Sequence, residues 1–458
     1  MAKHEKFQFA DKEALRAKIA ELDCNITLSE DSSALQNPVR VGSKTAPNRV
    51  AVLPMEGCDW TTEGSLTELA ERRYLRFAKG GAGLLWWEAC AIVPEGRANP
   101  LHMMLTAENA GVLAELLEKC NQTAAEQNGA GHKPINILQL THAGRYSRPE
   151  GHKMTPIIPQ HDPLLDPRAG IDDSYPVVTD EYLDSLPAHY VKAALLAQAC
   201  GFDGVDIKAC HRYLVSELLA SHKRAGKYGG SFENRTRLLL DVVRAVRKAV
   251  SPDSIIATRL NITDAHPYPY GFGVQAEEGS MEYDPSEPLR LVKLLAEEGV
   301  QLICTSAGSP YYTNPYVPRP FDVGILGAPT PPEHPLEGAA RLFALTRDVQ
   351  QAVGAHIPVV GSGYSWLREL APYVGAANIE AGSAGFMGLG RQSFAYPDAP
   401  RDILADGMNP QKVCIACSKC TQIMRDHGRT GCVIRDRELY APLFKESRED
   451  AIQREKGE

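Results

Sequence analysis

The chain has 458 residues, 43% hydrophobic and 23% charged, with a formal net charge of −8. That length can bury a large core, and the mildly acidic balance gives no reason to expect nucleic acid or a membrane surface as a partner. No run of 18 apolar residues is present to span a bilayer, and the opening MAKHEKFQFADKEALRAKIAELD lacks the apolar stretch of a secretory signal.

Residues 1–40 read as a charged N-terminal extension. Eight short apolar runs then recur along the chain: 48–56, 81–90, 135–144, 201–210, 254–263, 300–308, 357–364 and 376–390. Near-continuous apolar character is what parallel strands covered on both faces show. Amphipathic stretches alternate with them. Residues 179–200 open on Thr179 as an N-cap with acidic residues in the first turn, 233–250 end in basic residues, and 288–299 stop at a glycine. Eight β-then-α units predict a (β/α)8 TIM barrel over 41–405. A doubly wound open sheet is the other arrangement of such units, but no G-x-G-x-x-G follows the first run. Two stretches interrupt the repeat, a loop over 145–178 whose length suits a lid, and a Pro- and Tyr-rich segment over 309–335.

Active sites of such barrels lie at the C-terminal ends of the strands. The polar residues there are Gln139, His142 and Arg145 after the third run, and Lys208, His211 and Tyr213 after the fourth. Arg259 and Asn261 follow in the fifth, and Arg391 ends the glycine-rich eighth. One histidine could be a core residue satisfied by a carbonyl, but the converging set is hard to explain as packing. The segments GSGY and AGFMGLGR suit a phosphate, because glycines let backbone N–H groups approach and Arg391 adds a fork of donors.

Residues 406–458 form a tail holding Cys414, Cys417, Cys420 and Cys432, spaced C-x2-C-x2-C-x11-C. Three close thiolates with a distant fourth suit a cubane iron–sulfur cluster. Structural zinc more often uses two separate C-x2-C knuckles. The other seven of the 11 cysteines are scattered, as reduced buried thiols of a cytoplasmic protein are.

The stretches NRVAVLPM, QLTHAGR, GFDGVDIKACHRYL, KYGGSFENRTR and GLGR resemble the FMN-binding barrel of the old yellow enzyme family. With the cysteine tail, the likeness narrows to the subgroup of 2,4-dienoyl-CoA reductase, enoate reductase and trimethylamine dehydrogenase, which carries a [4Fe–4S] cluster after the barrel. The dienoyl-CoA reductase pattern places three residues between its second and third cysteine; this chain has two, Ser418 and Lys419. The resemblance implies FMN across the barrel mouth, contacted by Pro54, Met55 and Ala89. Gln139 would meet the pyrimidine edge, Arg259 would sit near N1 and C2=O, and Gly361, Gly363, Gly390 and Arg391 would hold the phosphate. It implies an activated C=C substrate gripped by Lys208 and His211 and protonated by Tyr213, with His142, Arg145, Tyr311 and Tyr312 as further substrate contacts. Lys208 stands where the family has His or Asn, and could instead pair with Glu56 or Glu88. An amine dehydrogenase like trimethylamine dehydrogenase is an alternative, with Trp86 and Trp87 as an amine cage, although adjacent aromatics in a buried strand more often simply fill it. That relative joins FMN to a cysteine at the place held here by Glu56, so a non-covalent flavin is expected. A non-catalytic electron carrier is the rival of another class. The FAD and NAD(P) domains of the longer relatives leave no G-x-G-x-x-G trace, so a ferredoxin or flavoprotein reductase is expected as electron-transfer partner, with NAD(P)H as the alternative reductant. A homo-oligomer is compatible with all of this.

Overall fold

The computed structural model describes residues 5–310 and 331–457. Tyr311 and Tyr312, and most of the Pro- and Tyr-rich segment, lie outside the described residues. Eight parallel strands close into a barrel: β1 (Val50–Val52), β2 (Leu84–Ala91), β3 (Ile135–Thr141), β4 (Gly204–Ile207), β5 (Ile255–Thr263), β6 (Leu302–Ala307), β7 (Val359–Gly361) and β8 (Phe386–Leu389). Closure is by β8 on β1, with Met387, Gly388 and Leu389 opposite Val50, Ala51 and Val52. All eight apolar runs thus contain a strand, although residues 376–380 of the last belong to a helix, Ala371–Glu380. That helix is alanine-rich and carries Pro372 in its first turn, both helix signals.

Alternate residues fill the barrel with Ala51, Leu84, Trp86, Ile137, Ala257, Leu302, Val360 and Phe386, while their neighbours meet the outer helices. The helices form where their caps require. Thr179 Oγ1 accepts from Tyr182 N at 3.2 Å to start Asp180–Cys200, and Ser231 Oγ accepts from Asn234 N at 3.3 Å to start Phe232–Ala249. A hairpin that sequence reading missed, Val39–Val41 with Lys44–Ala46, contributes Val39, Val41 and Ala46 to the barrel core.

The N-terminal stretch, the last barrel units and the tail share one apolar cluster, in which Phe7, Leu15 and Ile19 pack with Trp366, Val374, Val413 and Ala416. The loop over 145–178 is anchored by buried ion pairs. Asp162 accepts from Arg212 Nη2 at 3.1 Å and faces His266 Nε2 at 2.8 Å, which makes the loop a wall tied to the barrel. Among the described residues no helix is long and apolar enough to cross a membrane.

Candidate active site

A cleft of about 1090 Å³, open in part to solvent, occupies the C-terminal mouth of the barrel. Of the residues expected there, Pro54, Met55, Gln139, Lys208, His211, Tyr213, Arg259, Gly363, Gly390 and Arg391 line it, joined by Glu56, Ser306, Ser362, Ser365 and Met424.

Its centre is an ion pair. Lys208 Nζ lies 3.1 Å from Glu56 Oε1, and the side chains are 2% and 14% exposed. Tyr213 O–H donates to the same oxygen at 3.3 Å, and Lys208 Nζ sits 3.8 Å from the centre of the Tyr213 ring. Burial disfavours the charged form of Glu56, but the Lys208 ammonium, helped by the Tyr213 hydroxyl, outweighs it and holds the carboxyl below its usual range. His211, in the left-handed backbone region at φ 65°, brings Nε2 within 3.2 Å of Ser306 Oγ. An ammonium has three N–H donors and Glu56 takes one, so the pair leaves Lys208 able to meet a second acceptor.

Beneath the cleft lies a residue that sequence reading missed, the fully buried Asp206 of β4. Its Oδ2 accepts from Trp86 Nε1 at 2.9 Å and Gln139 Nε2 at 2.6 Å, and its Oδ1 from Arg259 N at 2.8 Å. Burial pushes its carboxyl up to about 6 against those hydrogen bonds. One N–H of the Gln139 amide is given to Asp206, which fixes the amide's orientation and leaves its oxygen and second N–H for a ligand. The available signal was an acidic residue at a position of β4 that faces Gln139 in register.

Several expected contacts lie elsewhere. Arg145 is completely buried and forks onto Glu217 and Asp166, with Nη2 donating to Gln160 O at 3.0 Å, so its charge is spent inside the protein rather than on a substrate. His142 is buried, accepts Gly144 N–H on Nδ1 at 3.0 Å and places Nε2 2.8 Å from Tyr182 Oη, which closes it off from the cleft. Ala89 is buried in β2 opposite Gln139 and is not among the residues that line the cleft. A Cβ on Gly361 would meet Tyr364 Oη at 3.2 Å and Thr346 at 3.3 Å, so this glycine serves packing under the loop that carries Ser362 and Gly363. Trp86 and Trp87 are fully buried, with Nε1 atoms donating to Asp206 and Asn136, and neither lines the cleft.

The residues present fit a flavin nucleotide. Arg259 Nε is buried with no hydrogen-bond partner among the described residues, and its Nη1 meets Pro54 O at 3.3 Å. A Cβ on Gly390 would meet only Met55 Sδ, at 3.5 Å, and Leu53 Cδ1, at 3.8 Å, so the backbone there is open to close approach.

Cys414, Cys417, Cys420 and Cys432 line a second cavity, with Lys419 and Arg435 at its rim. Backbone N–H groups already point at the sulfurs, Ala416 N to Cys414 Sγ at 3.4 Å and Arg435 N to Cys432 Sγ at 3.3 Å. Such donors suit cluster thiolates, whose potentials they tune. No three His, Cys, Asp or Glu side chains among the described residues gather round a single ion. Arg391 lines both cavities, and its Nη1 lies 3.4 Å from Ser418 Oγ.

The closed parallel barrel is the fold of an old yellow enzyme homologue, and its mouth gathers guanidinium, amide and phenol groups. The chain belongs to the NADH:flavin oxidoreductase / NADH oxidase family, whose model matches residues 34–271. It is 27% identical over 391 residues to an NADH oxidase of Thermoanaerobacter brockii, across 83% of this chain and 52% of that protein. The chain spans about half the length of the curated relatives it matches. Among solved structures it resembles a 2-naphthoyl-CoA reductase in complex with 2-naphthoyl-CoA, with TM-score 0.69 and 19% identity over 91% of this chain and 58% of that one. It also resembles a 6-hydroxypseudooxynicotine amine oxidase from Pseudomonas geniculata N1, with TM-score 0.65 and 23% identity over 89% and 54%. At these identities the two structures speak for the fold.

Proposed function

We propose that the chain is an FMN- and [4Fe–4S]-dependent oxidoreductase that reduces an activated C=C bond in an enone, enoate or enoyl thioester. The observation that carries this reading is that Arg391 borders both the barrel-mouth cleft and the four-cysteine cavity, so two redox groups held there would be neighbours. FMN would be held by Pro54, Met55, Gln139, Arg259, Gly363, Gly390 and Arg391, and would supply the hydride for the β-carbon. The cluster would be held by the four cysteines and would pass electrons singly.

The chain's own residues do the rest. His211 and the second N–H of Lys208 grip the substrate carbonyl and stabilise charge developing on its oxygen. Tyr213 gives its hydroxyl proton to the α-carbon. Glu56 orients that hydroxyl and fixes the ammonium, so that both donors stand in place before the substrate arrives. Arg259 puts a permanent cation at the floor of the cleft, where it favours an anionic ligand. Electrons enter from a carrier protein at the tail or from NAD(P)H at the mouth.

Anaerobic purification followed by absorption and EPR spectroscopy tests this. Flavin bands, a broad cluster absorption and about four iron atoms per chain are expected, with substrate-dependent reoxidation of the reduced protein by a panel of enones and enoates. A colourless protein, or one whose reduced form no alkene reoxidises, overturns the proposal.

A further inference from the structure

We propose that the surface around the four-cysteine cavity is a docking face for an acidic one-electron carrier protein. The inference rests on the cluster reading above and adds the place and charge of the partner. Within residues 411–437 every exposed charged side chain is basic, namely Lys412, Lys419, Arg429, Arg435 and Arg437. The two carboxylates of that stretch are turned inward. Asp426 is buried and pairs with Arg448 Nη1 at 2.6 Å, and Asp436 pairs with Arg72 Nη1 at 2.8 Å and with Arg76. Five exposed positive charges therefore fall within this stretch, bounded by the exposed Glu438, and none forms an ion pair among the described residues, in a chain whose net charge is −8.

Two of the charges stand at the cavity itself. Lys419 and Arg435 border it directly. Arg435 Nε donates to Val413 O at 3.0 Å, which sets it beside Lys412, whose ammonium lies 5.0 Å from the Tyr396 ring centre. Cys414 is buried, but Cys417, Cys420 and Cys432 are only half-buried, so sulfur comes nearest to solvent among these cations. Clustered like charge costs self-repulsion that a patch of opposite sign relieves. It also steers such a partner to the point where the path to sulfur is shortest. A cationic or neutral carrier gains nothing from this face. The electron count closes with two docking events. Each delivers one electron, and the two electrons with two protons from solvent convert one C=C to CH–CH.

The test uses the anaerobically purified, cluster-loaded chain, a photochemically reduced acidic ferredoxin, and dithionite as a small reductant. The variant is K412E/R429E/R437E, three exposed side chains that do not line either cavity. The second-order rate of reduction by ferredoxin should fall at least about tenfold at low salt, and its dependence on salt between about 10 and 150 mM should flatten. The cluster EPR signal and reduction by dithionite should stay as in the parent, and K412Q/R429Q/R437Q should fall between the two. An unchanged ferredoxin rate with the cluster signal intact overturns the docking face. So does an equal loss with dithionite, or a sedimentation shift without a change in rate, which would assign the face to a second copy of the chain. A parent protein with no cluster signal overturns the functional reading, and the docking face with it.

Discussion

Lys208 Nζ stands 3.1 Å from Glu56 Oε1 at the mouth of the barrel, on the connections that follow β4 and β1, 152 positions apart in the sequence. In the proposed function the pair stands where a substrate carbonyl would need donors, and neither member is tolerable there alone. Removing one partner of a buried ion pair leaves an uncompensated charge and costs about 3–5 kcal/mol, whereas removing both costs far less. Lys208→Met should therefore destabilise the protein by about that amount near neutral pH, and Glu56→Gln/Lys208→Met should recover most of it. Denaturant titrations of the four proteins of this double-mutant cycle measure the coupling. The pH dependence has a definite sign. Glu56 ionises more readily folded than unfolded, so its stabilising contribution is present above the ordinary carboxylate range and lost as pH falls through its depressed folded value. The single Lys208→Met variant should lose this behaviour. A cycle with no coupling energy would show that the pair does not hold the site.

Tyr213→Phe removes the hydroxyl that donates to Glu56 and leaves the packing of the ring. Flavin reduction should proceed at the parent rate, and alkene turnover should fall by about 10²–10⁴-fold, the usual effect of losing a general acid. Stopped-flow measurement of the two half-reactions separates these outcomes. An unaltered oxidative half-reaction would remove Tyr213 from the proton path.

Cys417→Ser should cost the iron and acid-labile sulfide of the tail and abolish reduction by an acidic carrier. Turnover driven by dithionite should persist, because the cleft residues are untouched. Metal analysis with paired assays checks it, and loss of dithionite-driven turnover would show that the cysteine cavity supports the cleft structurally.

Much of this architecture is legible along the chain because its causes are local. Apolar runs mark the strands, and Thr179 sits one residue before its helix with an oxygen that accepts from the backbone. The spacing of the four cysteines foretells their shared cavity. What fails is the step from position to direction. His142 and Arg145 follow β3 just as His211 and Tyr213 follow β4, yet the chain turns so that the first two point into the protein. Arg145 meets Glu217 from 72 positions away, and no local pattern announces such a partner. Asp206 escaped for the converse reason. A carboxylate in an apolar strand is visible in the sequence, but its three donors come from three other strands.

Arg145 supplies a direct test of that distinction. With its guanidinium spent on Glu217 and Asp166, Arg145→Met should act on folding rather than on substrate binding. It strands two buried carboxylates, so a loss of about 3–5 kcal/mol is expected. In whatever fraction remains folded, KM for a model enone should stay within about twofold of the parent, since uniform binding energy is what KM reports. A variant of normal stability with a raised KM would return Arg145 to the substrate site.

Asp206 carries a signature of its own beneath the cleft. Its carboxyl is raised to about 6 by burial. A raised carboxyl pKa contributes stability below the unfolded value, near 4, and that contribution fades as pH climbs through the folded value. A shift of this size is on the order of 2–3 kcal/mol. Asp206→Asn removes the titration, so the difference in stability between variant and parent should move in the variant's favour between about pH 4 and pH 7. The same substitution takes away an acceptor of the Gln139 amide and lets that amide turn over, so FMN should be held less tightly even where the fold is more stable. Thermal melts across this pH range, run beside a flavin-release titration, read the two effects independently. A variant that tracks the parent at every pH, with undiminished flavin affinity, would mean that Asp206 neither titrates there nor orients Gln139.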